Sequence, residues 1–327
     1  MWLEASVNTE PAHFKVSERG ALLAFTCGNV PDTILLAGAT GRLGRQIAAS
    51  LIERGAKVRA LVRPDSEQER ITELRELGAI VIQSRFTDAD RLIDACSGCN
   101  CVVSAVAGLR EVIVDAQTRL LNAAIDAGVP RFIPSDYCID YNGLEPGNNR
   151  NLDLRREFNQ RLDKAPIAGT SILNGMFTDL LTGQAPVILF ERKRVLYWGN
   201  ADQLMDFTTM HDTAVYTAAA ALDPVTPRYL RIAGDQISAR GLSIVAGELA
   251  GEKFKLLRPG GLGLFNAIIR VMRTLMPAPN DLYPPWQGMQ YLRDMLSGKA
   301  KLEPLDNQRY SGIQWTTVKD VLSDSIE

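Results

Sequence analysis

Thr33-Ile34-Leu35-Leu36-Ala37-Gly38-Ala39-Thr40-Gly41-Arg42-Leu43-Gly44 is the stretch from which the fold can be read. Its first part is short and wholly apolar, as expected of a parallel strand covered on both faces. Beyond the glycines, Leu43, Ile47, Leu51 and Ile52 repeat at helical spacing, and Gly55 suits the stop of that helix. Strand, glycine loop and helix in this order form a phosphate cradle. Gly38 permits the tight turn, Gly41 lets backbone approach a pyrophosphate, and Gly44 lets the helix pack on the sheet. Thr40 lies on the loop itself. The helix N-terminus then offers unpaired N–H groups and a partial positive charge.

The same alternation runs outward from this unit. Strands are expected at 58–62, 79–82, 101–106 and 131–133, separated by helices at 67–77, 90–96 and 111–127. Strict alternation implies right-handed crossovers and one parallel sheet. Beyond residue 150 the rhythm loosens: a helix at 152–162, strands at 170–173, 195–198, 206–210 and 229–232, a helix at 212–222, then mostly helix broken by prolines. The expected fold is therefore α/β, a doubly wound parallel-sheet (Rossmann) domain over 31–174 with a smaller, mostly helical C-terminal substrate cap over 175–327. Strands near 206–234 are expected to return to the sheet, and residues 1–30 read as an N-terminal extension.

The second strand ends in Leu61-Val62-Arg63-Pro64. Sites for NAD usually place a carboxylate at this point, on the ribose 2′-hydroxyl. A carboxylate would repel a 2′-phosphate, whereas a guanidinium grips it. Arg63, with Arg42 from the loop, therefore points to NADP(H) as cofactor.

Composition bounds the rest. The chain has 327 residues, 46% hydrophobic and 23% charged, with a formal net charge of -2. That balance suits a soluble globular protein and disfavours direct nucleic-acid binding through bulk positive charge. The longest apolar stretch, 261–276, carries Arg270 and Arg273 and falls short of the roughly 20 residues a bilayer span needs. With no basic leader at the start and five cysteines, a cytoplasmic, reducing location is expected. Cys96-Ser97-Gly98-Cys99 lies at a helix end rather than at a helix start, so these cysteines read as structural. His13 and His211 are the only histidines, which excludes a multi-histidine metal centre. His211 reads as packed or capping. The apolar run at 262–276 and Trp286 either line a substrate pocket or are buried within the cap, the commoner case.

Several segments together resemble the NmrA-like and isoflavone-reductase-like atypical short-chain dehydrogenases. They are 34–44, 58–64, Arg131-Phe132-Ile133-Pro134-Ser135-Asp136-Tyr137, Asn174-Gly175-Met176-Phe177 and 206–212. The resemblance implies that Ser104, Ala105 and Val106 line the cofactor, and that Ser135, Asp136, Tyr137 and Asn174 face its nicotinamide end. It also places Ser84-Arg85 and Phe86 near the adenine. There Arg85 could stack on the base, join the 2′-phosphate site or point to water. Asp212 reads as a helix N-cap.

Two departures bear on chemistry. The Tyr-x-x-x-Lys pair of ordinary short-chain reductases is absent, since Tyr141 follows Tyr137 at that spacing. The lysine of isoflavone-reductase-like enzymes falls, by position, on Arg155, which cannot serve as a general base. It could anchor a substrate carboxylate or a cofactor phosphate.

The expected activity is an NADPH-dependent reduction of a small aromatic or conjugated molecule. Tyr137 is the first candidate proton donor, Asp136 the second, and Arg155 an electrostatic partner. The rival is an NADP(H)-binding redox sensor that contacts a partner protein without turnover.

Overall fold

The computed structural model describes residues 31–326, so the expected N-terminal extension lies outside the described residues. The opening stretch forms β1 (Thr33–Ala37) and α1 (Arg42–Glu53). There follow β2 (Lys57–Val62), α2 (Gln68–Glu76), β3 (Ile80–Gln83), α3 (Ala89–Cys96) and β4 (Cys101–Ser104). The next helix opens on a wide π-type turn, Glu111–Ala116, before α4 (Gln117–Asp126). Then come β5 (Arg131–Ile133), α5 (Arg150–Leu162), β6 (Ala168–Gly169) and β7 (Ser171–Leu173).

The sheet order is β3-β2-β1-β4-β5-β6, with every pair parallel. The expected strand at 170–173 begins at Ser171. Just before it, β6 pairs with β5, and the expected strand itself, as β7, pairs with β12 (Tyr229–Arg231), also in parallel. Between them the Thr170 amide donates to Phe132 O at 3.0 Å, beyond the last ladder bond of the six-stranded sheet.

Period-two alternation decides the layers. Ile34 and Leu36 of β1 face one core, shared with α1 and α6 (Met210–Leu222), while Leu35 and Ala37 face a second core under α3, α4 and α5. This explains an apolar run without polar interruption: both faces are covered. Burying each such side chain contributes about 1.5–3 kcal/mol.

The second half builds a third core from β8 (Met176–Phe177), β9 (Ile188–Leu189), β10 (Arg194–Leu196), β11 (Leu204–Thr208), β13 (Asp235–Ser238), α7 (Ala239–Ala250), β14 (Lys255–Leu257), α8 (Leu262–Leu275), α9 (Pro285–Leu296) and α10 (Val318–Ile326). Two expectations change here. Neither expected strand returns to the six-stranded sheet: β12 pairs with β7 in a separate two-stranded sheet, and β11 pairs with β8 and β13 in a separate three-stranded one. Nor is everything beyond residue 174 cap. Helix α6 packs beside α1, and Tyr310, Ile313 and Trp315 pack on the same core. The described residues form one compact unit.

Helix α6 is fastened along its length. At its start Thr209, not Asp212, is the N-cap, accepting from the Asp212 amide at 2.9 Å; the Asp212 carboxylate instead accepts from the Thr316 amide, also at 2.9 Å. In the middle the Tyr216 hydroxyl donates to Asp306 O at 2.9 Å. At its end the buried Arg131 of β5 donates to the Ala220 and Ala221 carbonyls at 2.8 and 3.1 Å, where a cation is favoured by the helix dipole.

Leu36→Ala would leave a cavity in the sheet–α1/α6 core with no neighbour able to fill it. A loss of about 2–5 kcal/mol is expected from the shift in denaturant midpoint.

Candidate functional site

The C-terminal ends of β1, β4, β5 and β7 meet in one chain of contacts. Gly38 has φ +80°, and a Cβ there would lie 2.5 Å from Ala105 O. A Cβ on Gly44 would collide with Gly38 O. At Gly41 the protein leaves room: the one atom facing a Cβ is Gly38 O, at 3.4 Å. Glycine at 38 and 44 is thus required by the protein's own packing. At 41 it is not, which fits a backbone left bare for a ligand.

From the glycine loop the contacts run on. The Ala105 amide donates to Ala37 O at 2.8 Å, and the Ser135 hydroxyl donates to Val106 O at 2.7 Å. The Ser135 amide in turn donates to Gln117 Oε1 at 2.9 Å. Gln117 went unnoticed in the sequence; the π-type turn brings it there, and its Nε2 donates to Ile113 O. The Asn174 amide donates to Cys138 O at 2.9 Å, joining the β7 end to the β5 loop.

Helix α1 begins at this junction with no side-chain cap and no acidic residue in its first turn. Helices α3, α5, α6 and α7 are capped by Asp88, Asn149, Thr209 and Ser238, whereas α2, α8 and α9 also start without a side-chain cap; what sets α1 apart is the glycine loop that leads into it. The first N–H groups of α1 can therefore hold an anion such as a pyrophosphate. Two fully buried side chains nearby lack partners: Ser104 Oγ, and both polar atoms of the Asn174 amide. Unmatched polar atoms at full burial cost free energy unless a ligand engages them. The junction is suited to a dinucleotide laid across the strand ends at the sheet's switch point.

The adenosine side is set by β2 and β3. Leu61 pairs with Ala37, so Arg63 stands two residues past the end of β1, at the level of the glycine loop. Its guanidinium is exposed, with only Asp65 at 3.9 Å; the exposed Arg42 has only Asp179, at 4.0 Å. Leu43 tucks against the α1/α6 core. The Ser84 amide donates to Val62 O, which brings Arg85 and Phe86 alongside. Arg85 is exposed, while Phe86 is half-buried against the α3/α4 core. Arg70 was not anticipated: from α2 it donates to Thr40 O at 3.2 Å and so reaches over the loop.

The three candidate catalytic side chains do not converge. Tyr137 enters the α1/α6-side core, and its hydroxyl is buried without a well-formed hydrogen bond. Burial pushes its pKa well above the usual value, and the neighbouring Thr217 hydroxyl offsets only part of that. Its neighbour Cys138 faces the other way, into the cap core. Asp136 Oδ2 accepts from the Tyr141 hydroxyl at 3.0 Å, the Ser171 hydroxyl at 2.6 Å and the Asn159 amide. Arg228 closes this knot by donating to Ser171 Oγ and Asn159 Oδ1. Asp136 is thus engaged in joining β5, α5 and β7. Arg155 lies on the Cys138 side, nine-tenths buried, with Nε unpartnered.

Other sequence features resolve into packing. Cys96, Cys99, Cys101 and Cys138 are free and buried. Burial pushes the Cys96 and Cys101 thiols up to about 12. His211 is exposed rather than packed. Trp286 is buried, donates to Met276 O at 2.9 Å and is covered by the Arg150 and Arg273 guanidiniums. Helix α8 buries only Phe265 and Ile269 fully, so it is less buried than its apolar run implied. Among the described residues no helix is long and apolar enough to cross a membrane, and no group of three potential ligands is arranged for a metal.

The description of the NmrA-like family matches residues 31–247, which spans the glycine loop, the β5 loop and the Asn174 turn. The chain belongs to the NmrA-like family. Pinoresinol reductase 1 of Arabidopsis thaliana is 29% identical over 208 residues, 59% of this chain and 65% of that protein. The match thus covers just under two thirds of that relative's length. Among solved structures, AtPrR2 with NADP+ and (+)-pinoresinol superposes with a TM-score of 0.74 at 21% identity, over 90% of this chain and 99% of that one. The leucoanthocyanidin reductase–NADPH complex from Vitis vinifera gives 0.71 at 17% identity over 90% and 99%. At these identities the superpositions establish a shared fold.

Two outcomes are expected. Asp136→Ala strands three buried donors, and a stability loss of about 3 kcal/mol should appear in chemical denaturation. Iodoacetamide at pH 8 should leave Cys96, Cys99, Cys101 and Cys138 unmodified in the folded protein and label them once it is unfolded, as peptide mapping would read out.

Proposed function

We propose that this member of the NmrA-like family is an NADPH-dependent reductase of a small aromatic or conjugated substrate. The observation that carries the reading is the uncapped N-terminus of α1, fronted by a glycine loop sealed against the end of β4. When bound, NADPH supplies the hydride. The N–H groups following Gly41 would hold the pyrophosphate. Arg63 and Arg42, lacking close partners, would take the 2′-phosphate, with Phe86 and Arg85 beside the adenine. Ser104 and Asn174 would meet the nicotinamide end with their unmatched polar atoms. Val106, Ala105 and Ser135 shape the wall between them. The pinoresinol and leucoanthocyanidin reductases among its relatives support an aromatic substrate.

One observation favours a second reading, a redox sensor that binds NADP(H) and signals to a partner protein without turnover. Tyr137 holds its hydroxyl inside the core and Asp136 is engaged in three hydrogen bonds, so neither is poised to hand a proton to a substrate.

Calorimetric titration tests the cofactor. NADPH is expected to bind at least about tenfold more tightly than NADH, and Arg63→Ala should remove most of that preference, about 1.4 kcal/mol. Equal affinity for the two, or none for either, would overturn the assignment. Turnover is tested by following NADPH oxidation over enones, quinones and aromatic aldehydes. Oxidation with any of them supports the reductase, and tight binding with none oxidised supports the sensor.

A further inference from the structure

Arg155 stands apart from the other buried arginines among the described residues. Arg131 donates to two carbonyls and the Thr226 hydroxyl, and Arg293 is paired with Asp294 and also donates to Asn266 and the Asn148 carbonyl. Arg155 is nearly as buried, yet its donors make one hydrogen bond, from Nη1 to Asn151 O of its own helix at 3.1 Å. Nε is buried with no partner, and no ion pair involves this residue.

A guanidinium cannot escape burial by losing its proton, as a lysine can. An uncompensated charge in a protein interior costs several kcal/mol. Burial acts most strongly on this charge and disfavours it; set against burial are, in order, Tyr291, Cys138, Tyr283 and Asp136. Tyrosine and cysteine are uncharged at neutral pH unless their pKa falls, and burial pushes Tyr291 and Cys138 the opposite way. Asp136 is the one carboxylate of the four. Its Oδ2 is already engaged with Tyr141, Asn159 and Ser171, two of which are held by Arg228.

The place suits a ligand. Arg155 lies on α5, and Cys138 of the β5 loop and Tyr283 and Tyr291 of the C-terminal segment are near enough to act on its charge. That segment is held to the start of α5, where Asn149 bonds Asp294 and Gln287 at 2.9 and 2.8 Å. Tyr291 is half-buried and is the residue that acts most strongly on the Arg155 charge.

We propose that Arg155 is a receptor for a carboxylate on the ligand, so that this site prefers aromatic or conjugated acids to their neutral counterparts. Calling that ligand the substrate rests on the reductase reading; the preference for an anion does not. Anions of the cofactor belong to the start of α1, on the glycine-loop side.

The test uses the full chain saturated with NADP+, titrated with cinnamate and with its methyl ester. The acid is expected to bind at least about tenfold more tightly than the ester. Arg155→Met, of similar length but neutral, should bind both equally, keep its affinity for NADP+ and melt no lower than the parent, since it removes an unpaired buried charge. Arg155→Lys should keep part of the preference. Cinnamate should raise the melting temperature of the parent and leave that of Arg155→Met unchanged. Equal binding of acid and ester by the parent overturns the proposal without need of any variant. So does a preference that survives Arg155→Met. A roughly tenfold loss of NADP+ affinity in Arg155→Met would assign the guanidinium to the cofactor instead and equally overturn it. Failure of the parent to bind NADP+ at all would count against the cofactor reading, and the acid–ester comparison would then be read on the unliganded chain.

Discussion

The close approach of backbone to backbone at the mouth of the sheet is the constraint on which the rest depends. Gly38 can sit against Ala105 only without a side chain, and Gly44 can bring α1 onto Gly38 only on the same condition. From there the Val106 carbonyl holds Ser135, and the Cys138 carbonyl holds Asn174. Four strand ends are thereby kept at fixed separation, mostly by main-chain groups and at β5 by the Ser135 hydroxyl. A surface held this way needs little reorganisation when a ligand arrives, which is the basis of preorganised recognition.

The parts of this architecture that were legible in the sequence share a physical origin: they are local. The run 33–37, the helical stripe of Leu43, Ile47 and Leu51, and the stops at Gly55, Gly78 and Gly128 each express a rule acting within one turn or one strand. What escaped reading depends on partners far along the chain. The hydrogen bonds of Asp136 come from residues up to 35 positions away, and Asp206 is held by Gln236, Lys301 and the Leu302 amide. The direction of Tyr137 follows from the tight turn in which the Asp136 amide bonds Pro134 O, not from any periodic pattern. Strands β8 and β9 have two residues each, too few for alternation to register.

Side chains at the site divide into those that build it and those left without protein partners. Ser135, Asp136 and Gln117 build it, since their polar atoms are engaged inside the protein. Ser104, Asn174 and Arg155 retain unmatched atoms at nearly complete burial. A folded chain tolerates few such groups. Such groups mark the surface that recognises, as distinct from the scaffold that carries it.

Helix α6 gives the molecule a further property. It is gripped at one end by β5, along its middle by the Asp306 carbonyl, and at its start by Thr316, while its flank lies on α1. The last stretch of the polypeptide thus reaches back to the layer laid down by the first described helix. Neither half can be cut away with its core intact. Heat or denaturant should meet one cooperative block, in which loosening the tail also loosens the helix against which the phosphate cradle is braced.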